Sequence, residues 1–119
     1  MSPSLRQRPV SKRLTFKNGF TSISDGTIYF FNTYPATGSP TLSLTPGQTG
    51  GLDVTTVEML IQFPSGKSSY TANLLNPDKT ILISYYVPSQ GNQQRIPSTI
   101  VDAIHIMAIA GQVCEITKS

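Results

Sequence analysis

The chain has 119 residues, a net charge of +3 and only 13% charged residues, enough for one domain spanning 1–119 and too balanced in composition for a disordered chain. Plentiful Ser, Thr, Gly and Pro favour a β-rich fold with many turns, and no apolar run reaches the ~18 residues of a membrane-crossing helix. The basic start lacks the apolar segment of a signal peptide, and a lone cysteine, Cys114, excludes an internal disulfide and suits a reducing compartment.

Arg6, Arg8, Lys12, Arg13 and Lys17 all precede the first acid, Asp25, and residues 1–13 read as a basic arm. Such an arm either meets a polyanion, a nucleic acid or an acidic membrane surface, or serves as a solvated tail. Leu14–Phe16 is a short β-prone run. Thr27–Asn32 is another, and the Asp25-Gly26 turn signal makes Phe20–Asn32 a hairpin. Thr33–Gly51 is a turn-rich stretch holding one short edge strand, Thr41–Leu44, closed at Pro46-Gly47.

Val54–Phe63 alternates Val57, Met59, Ile61 and Phe63 with Thr56, Glu58, Leu60 and Gln62, as a half-buried strand does. A turn at Pro64–Lys67 leads into Ser69–Leu75, where Tyr70, Ala72 and Leu74 oppose Ser69, Thr71 and Asn73. Asn76–Lys79 turns the chain into Thr80–Val87, with Ile81, Ile83, Tyr85 and Val87 on one face. Three strands joined by tight turns form an antiparallel meander with one face free for water. A polar loop, Ser89–Arg95, precedes a helix over Ser98–Gly111, and Val113–Thr117 reads as a short tail strand.

The helix follows Pro97, with Ser98 or Thr99 as cap and Asp102 completing a capping box from Thr99. Thr99, Asp102 and His105 share one polar strip, and the other faces are apolar nearly all round. Such a helix is a buried one, and a domain of this size has little core to bury it in, so the expectation is cover from a second subunit. The expected fold class is α+β: an N-terminal β-hairpin, an antiparallel β-meander sheet and a C-terminal helix.

Support for catalysis is thin. Asp102 and His105 form an i, i+3 pair able in principle to orient a base, but no nucleophile is placed beside them, so the chain reads as no enzyme. One His and one Cys do not build a usual metal site, and no cofactor is expected. Ser65-Gly66-Lys67-Ser68 fails as a phosphate loop, because Ile61 stands where a glycine is needed and a strand follows. Cys114 reads as a small buried hydrophobe. The meander's polar face (Thr56, Gln62, Ser69, Thr71, Asn73, Thr80, Ser84 and Tyr86, with Lys67 at the rim) either meets RNA or is simply the solvent face of the sheet, and Glu58 lies on it as well.

Val54–Pro77, VTTVEMLIQFPSGKSSYTANLLNP, resembles the coat proteins of the small single-stranded RNA bacteriophages, the levivirus group. The likeness lies in paired central strands joined by a short basic polar turn, with Tyr70, Thr71, Asn73 and Pro77 at matching places, and an apolar helix downstream. The resemblance implies an intertwined homodimer with one continuous sheet, assembly into an icosahedral shell, and packaging of single-stranded RNA, with translational repression through an RNA hairpin. It implies a virion protein, present in the bacterial cytoplasm during assembly. Thr71 and Asn73 would face RNA, with Lys67, Ser69 and Gln62 as further candidates. Ile100, Ile104, Met107 and Ala108 would lie at the dimer interface. The rivals are another small capsid protein with a basic arm, or a β-rich cytosolic RNA-binding or accessory dimerisation module.

Overall fold

A computed structural model describes residues 12–32, 39–54, 59–108 and 112–119. The fold is α+β: a mixed five-stranded sheet, a three-stranded antiparallel sheet and one helix. Its strands are β1 (Lys12–Asn18), β2 (Ile28–Phe31), β3 (Leu42–Leu44), β4 (Thr49–Val54), β5 (Leu60–Gln62), β6 (Tyr70–Leu75), β7 (Ile81–Val87) and β8 (Val113–Lys118). The helix, α1, spans Ser98–Ala108. The larger sheet runs β4-β1-β8-β6-β7, and the smaller runs β3-β2-β5.

Several expected strands form, but with different partners. Phe20–Asn32 is not a hairpin, because β1 pairs with β4 and β8 while β2 pairs with β3 and β5 in the other sheet. Between them, Ser22 caps a 3-10 turn at Ile23–Asp25, and the Asp25 carboxylate accepts from the Ser22 N–H at 3.3 Å. That capping box turns the chain into the second sheet.

The long strand expected over Val54–Phe63 is likewise divided. Its first residue ends β4 and residues 60–62 form β5 in the smaller sheet; Thr56, Val57 and Glu58 lie outside the described residues. The turn after β5 therefore joins two sheets, and of the expected meander only the β6–β7 hairpin exists.

Two segments that read as peripheral are structural. Thr49–Val54 is a strand in spite of Gly50 and Gly51, and Gly50 serves close approach. A Cβ on Gly50 would come within 2.8 Å of Leu42 and 3.0 Å of Leu44. The tail strand β8 sits at the centre of the larger sheet, parallel to β1 and antiparallel to β6.

The smaller sheet packs over β1 and β4, with Phe16 and Phe30 stacked at 4.5 Å between ring centroids. Further along, Phe63 stacks on Tyr70 at 4.2 Å. The helix packs against β1, β5, β6, β7 and β8. It begins with the Pro97 carbonyl accepting from the N–H groups of Ile100 and Val101, so Ser98 and Thr99 lie inside the helix rather than capping it.

Ile100, Val101, Ile104, His105 and Ala108 are buried, while Thr99, Asp102 and Ile106 are exposed. The polar strip is thus broken: His105 is 2% exposed and faces the core, and Ile106, 70% exposed, takes a place on the outer side. One face of the helix is covered by the chain's own sheets, which removes the argument that its burial requires a second subunit. Ile109–Gly111 lie outside the described residues.

Candidate functional site: the outer face of the larger sheet

Alternation along β1, β6 and β8 gives the larger sheet two unlike faces. Leu14, Phe16, Leu52, Tyr70, Ala72, Leu74, Cys114 and Ile116 point into the core. Their neighbours Arg13, Thr15 and Lys17 on β1, Glu115 and Thr117 on β8, Thr71 and Asn73 on β6, and Ser84 and Tyr86 on β7 share the outer face by register.

Most charges on this face are paired. Arg13 meets Asp53 at 3.3 Å and Lys17 meets Glu115 at 3.6 Å. Both pairs are open enough to water to count for little in stability. A row of hydrogen bonds ties the strands together: Ser84 Oγ donates to Asn73 Oδ1 at 2.7 Å, and Asn73 Nδ2 donates to Thr117 Oγ1 at 3.3 Å. Thr71 Oγ1 lies 2.8 Å from Ser119 Oγ.

The structure brings some candidate RNA contacts together and separates others. Thr71 and Asn73 share the outer face, but Asn73 is buried and its amide is already engaged at both ends. Ser69 leads into β6, where its carbonyl accepts from the Ser119 N–H, and Lys67 is exposed in the preceding turn. Gln62 belongs to the other sheet, in a groove with Gln93, Gln94 and Arg95. Arg95 itself lies over the Phe31 ring at 5.4 Å.

Ile100, Ile104 and Ala108 are buried in the chain's own core, and Met107 packs partly against it. Asp102 is exposed and His105, one turn further on, is buried, so the two stand on either side of the helix's burial boundary.

The outer face is indented at one end, where the β6–β7 turn rises beside β8. The cleft there has a volume of about 430 Å³. Thr15, Lys17, Thr49, Asn76, Lys79 and Gln112 supply polar groups, and Leu75, Pro77 and Val113 supply an apolar floor. The turn is pinned by Asn76 N–H donating to the Thr80 carbonyl and by Thr80 donating to Asp78 from both its N–H and its hydroxyl. The Thr80 hydroxyl first, and then its N–H, hold the Asp78 carboxyl below the usual range.

Reasoning from sequence missed Thr15, Thr49, Lys79 and Gln112, and placed Lys17 only in the basic cluster before Asp25. The alternation of Arg13, Thr15 and Lys17 with Leu14 and Phe16 was the available signal for β1.

Cys114, on the inner face of β8, has its thiol pushed up to about 12 by burial. The phenol of Tyr70 is raised as well, by burial first, even though it donates to the Ser65 carbonyl at 2.9 Å. Both groups favour folding while protonated, so their contribution is complete below the ordinary thiol pKa and is lost as pH climbs towards 12. We predict that native protein resists a thiol-specific reagent at about pH 8 and reacts fully once unfolded in urea. Rapid reaction of the native protein would show an open thiol instead.

No known protein family, curated protein or solved structure matches the chain.

Proposed function

We propose that this chain is a self-assembling structural subunit of the coat-protein kind. It pairs with a second copy along the free edge of β7 and turns the outer face of its larger sheet toward single-stranded RNA. The observation that carries the reading is β7 itself. Among the described residues no strand pairs with its outer edge, and Ile81, Leu82, Ile83 and Tyr86 on it are each 48–59% exposed.

Edge strands of monomers are guarded by charge, by proline or by bulges that twist them away. Here Ile81–Val87 contains no charged residue, and the one irregularity, a register shift at Leu74/Leu75, lies at its start. Antiparallel pairing with a second β7 about Ser84 sets Ile83 against Tyr85 and Leu82 against Tyr86, a self-complementary register. The result is one continuous sheet of two five-stranded halves, whose outer faces form a single polar surface.

The RNA part of the reading is supported by the hydroxyl and amide groups of that surface, by Arg13, Lys17 and Lys79 on or beside it, and by the run of basic residues before Asp25. Phosphate contacts supply affinity in such interfaces and polar side chains read the bases. Electron microscopy of protein expressed in bacteria, with nuclease treatment of the sample, tests this. The expected result is particles tens of nanometres across holding nuclease-protected RNA. A discrete dimer without particles or RNA would instead favour an accessory dimerisation module.

A further inference from the structure

We infer that the cleft beside the β6–β7 turn is a binding site for a nucleoside phosphate. Three features of one place point to this ligand. The first is size, because about 430 Å³ lies within the range of small-ligand sites. Its floor of Leu75, Pro77 and Val113 suits the face of a flat base, and its Thr15 and Thr49 hydroxyls suit a ribose.

The second feature is an orphaned acceptor. Gln112 lines the cleft, and its Oε1 is buried with no donor among the described residues. A buried carbonyl without a donor costs free energy, and turning the Gln112 amide toward the cleft lets an amino or hydroxyl group of a bound nucleoside relieve that cost.

The third is Lys79. It stands at φ 72°, in the left-handed region, where glycine or asparagine is the ordinary choice and a lysine carries backbone strain. Lys79 lines the cleft and forms no ion pair among the described residues. Lys17 lines the same cleft and is held by Glu115, which a phosphate can replace as its partner. Lys17 and Lys79 together make a phosphate site, and the two threonine hydroxyls, the apolar floor and Gln112 extend it to a nucleoside.

The phosphate can belong to a free mononucleotide or to the 5′ end of an RNA strand, and the chemistry is the same in both. Calorimetric titration of the full chain with AMP, with a 5′-phosphorylated oligouridine, with its 5′-hydroxyl counterpart and with inorganic phosphate separates the sources. Saturable binding of AMP, or of the phosphorylated strand over the hydroxyl strand, is the expected result.

Lys79→Gly provides the decisive variant, because glycine suits the positive φ: its melting temperature should be no lower than that of the wild type while affinity falls about tenfold. Gln112→Leu should also weaken binding, and Glu115→Gln, which frees Lys17, should strengthen it. Unchanged affinity in Lys79→Gly would overturn the site, as would inorganic phosphate binding as tightly as AMP, which would reduce it to a general anion site. AMP binding without any binding of either strand would support the site and count against the RNA reading alone. Absence of binding by all four probes would overturn the inference while leaving assembly through β7 standing.

Discussion

Ile104→Asp is expected to leave no folded protein, while Ile106→Asp, on the same helix, is expected to melt like the wild type. The two isoleucines differ in what surrounds them. Ile104 is fully buried where the helix meets the sheets, and Ile106 is 70% exposed. A carboxylate at 104 must either stay charged in an apolar core or take up a proton, and either course costs several kcal/mol. Total stability for a domain of this size is about 5–15 kcal/mol, so the loss takes most or all of it. At 106 the same substitution moves a charge into water and removes an exposed apolar group. Circular dichroism melts of the two variants decide the matter. A folded Ile104→Asp with near-wild-type melting would mean that the helix does not face the sheets in this orientation.

Asn18→Ala should lower stability by about 2–4 kcal/mol in urea unfolding, an unusual loss for a polar residue. Asn18 is fully buried at the end of β1, with every polar atom of its side chain engaged. Its Nδ2 donates to the Leu44 carbonyl at 2.8 Å and to the Gly26 carbonyl at 3.2 Å, and its Oδ1 accepts from the Phe20 N–H at 3.0 Å. One side chain therefore joins the larger sheet to β3 and to the turn after Asp25, where the chain passes from one sheet to the other. Alanine takes the Asn18 bond away from three backbone groups, two of them in buried surroundings. Asn18→Asp keeps one bond but sets a carboxylate against two carbonyl oxygens, and it should be no more stable than the alanine variant. A loss under about 0.5 kcal/mol would mean that these groups find other partners.

Local features of the fold were legible in the sequence, and long-range pairings were not. The β6–β7 hairpin, the edge strand β3 with its Pro46-Gly47 turn, and α1 declare themselves through alternation, turn residues and helix periodicity within a few residues. Choosing between two sheets depends on contacts across the chain, so the strands at 14–16, 27–32 and 54–63 were joined to the wrong neighbours. Gly50-Gly51 reads as loop, because the value of Gly50 lies in the side chains of Leu42 and Leu44 that approach it from the other sheet. For β8, Val113–Lys118 carries the same alternation as any short strand, with no sign that β1 and β6 flank it.

The helix misled for a related reason. Its wheel is apolar nearly all round, yet the buried side includes His105 and the open side includes Ile106. On the candidate site, the outward direction of Thr71 and Asn73 followed from the period of two. The cleft did not, because its walls come from β1, β4, the β6–β7 turn and the start of β8.

The exposed strand β7 is the point on which the proposed assembly turns, and molar mass in solution tests it most directly. Size-exclusion chromatography with light scattering should give the wild type a mass of at least twice the 12.9 kDa of one chain. Leu82→Lys, which places a charge on the exposed edge, should return it to a folded 12.9 kDa monomer. A wild type that elutes as a monodisperse monomer would contradict the account.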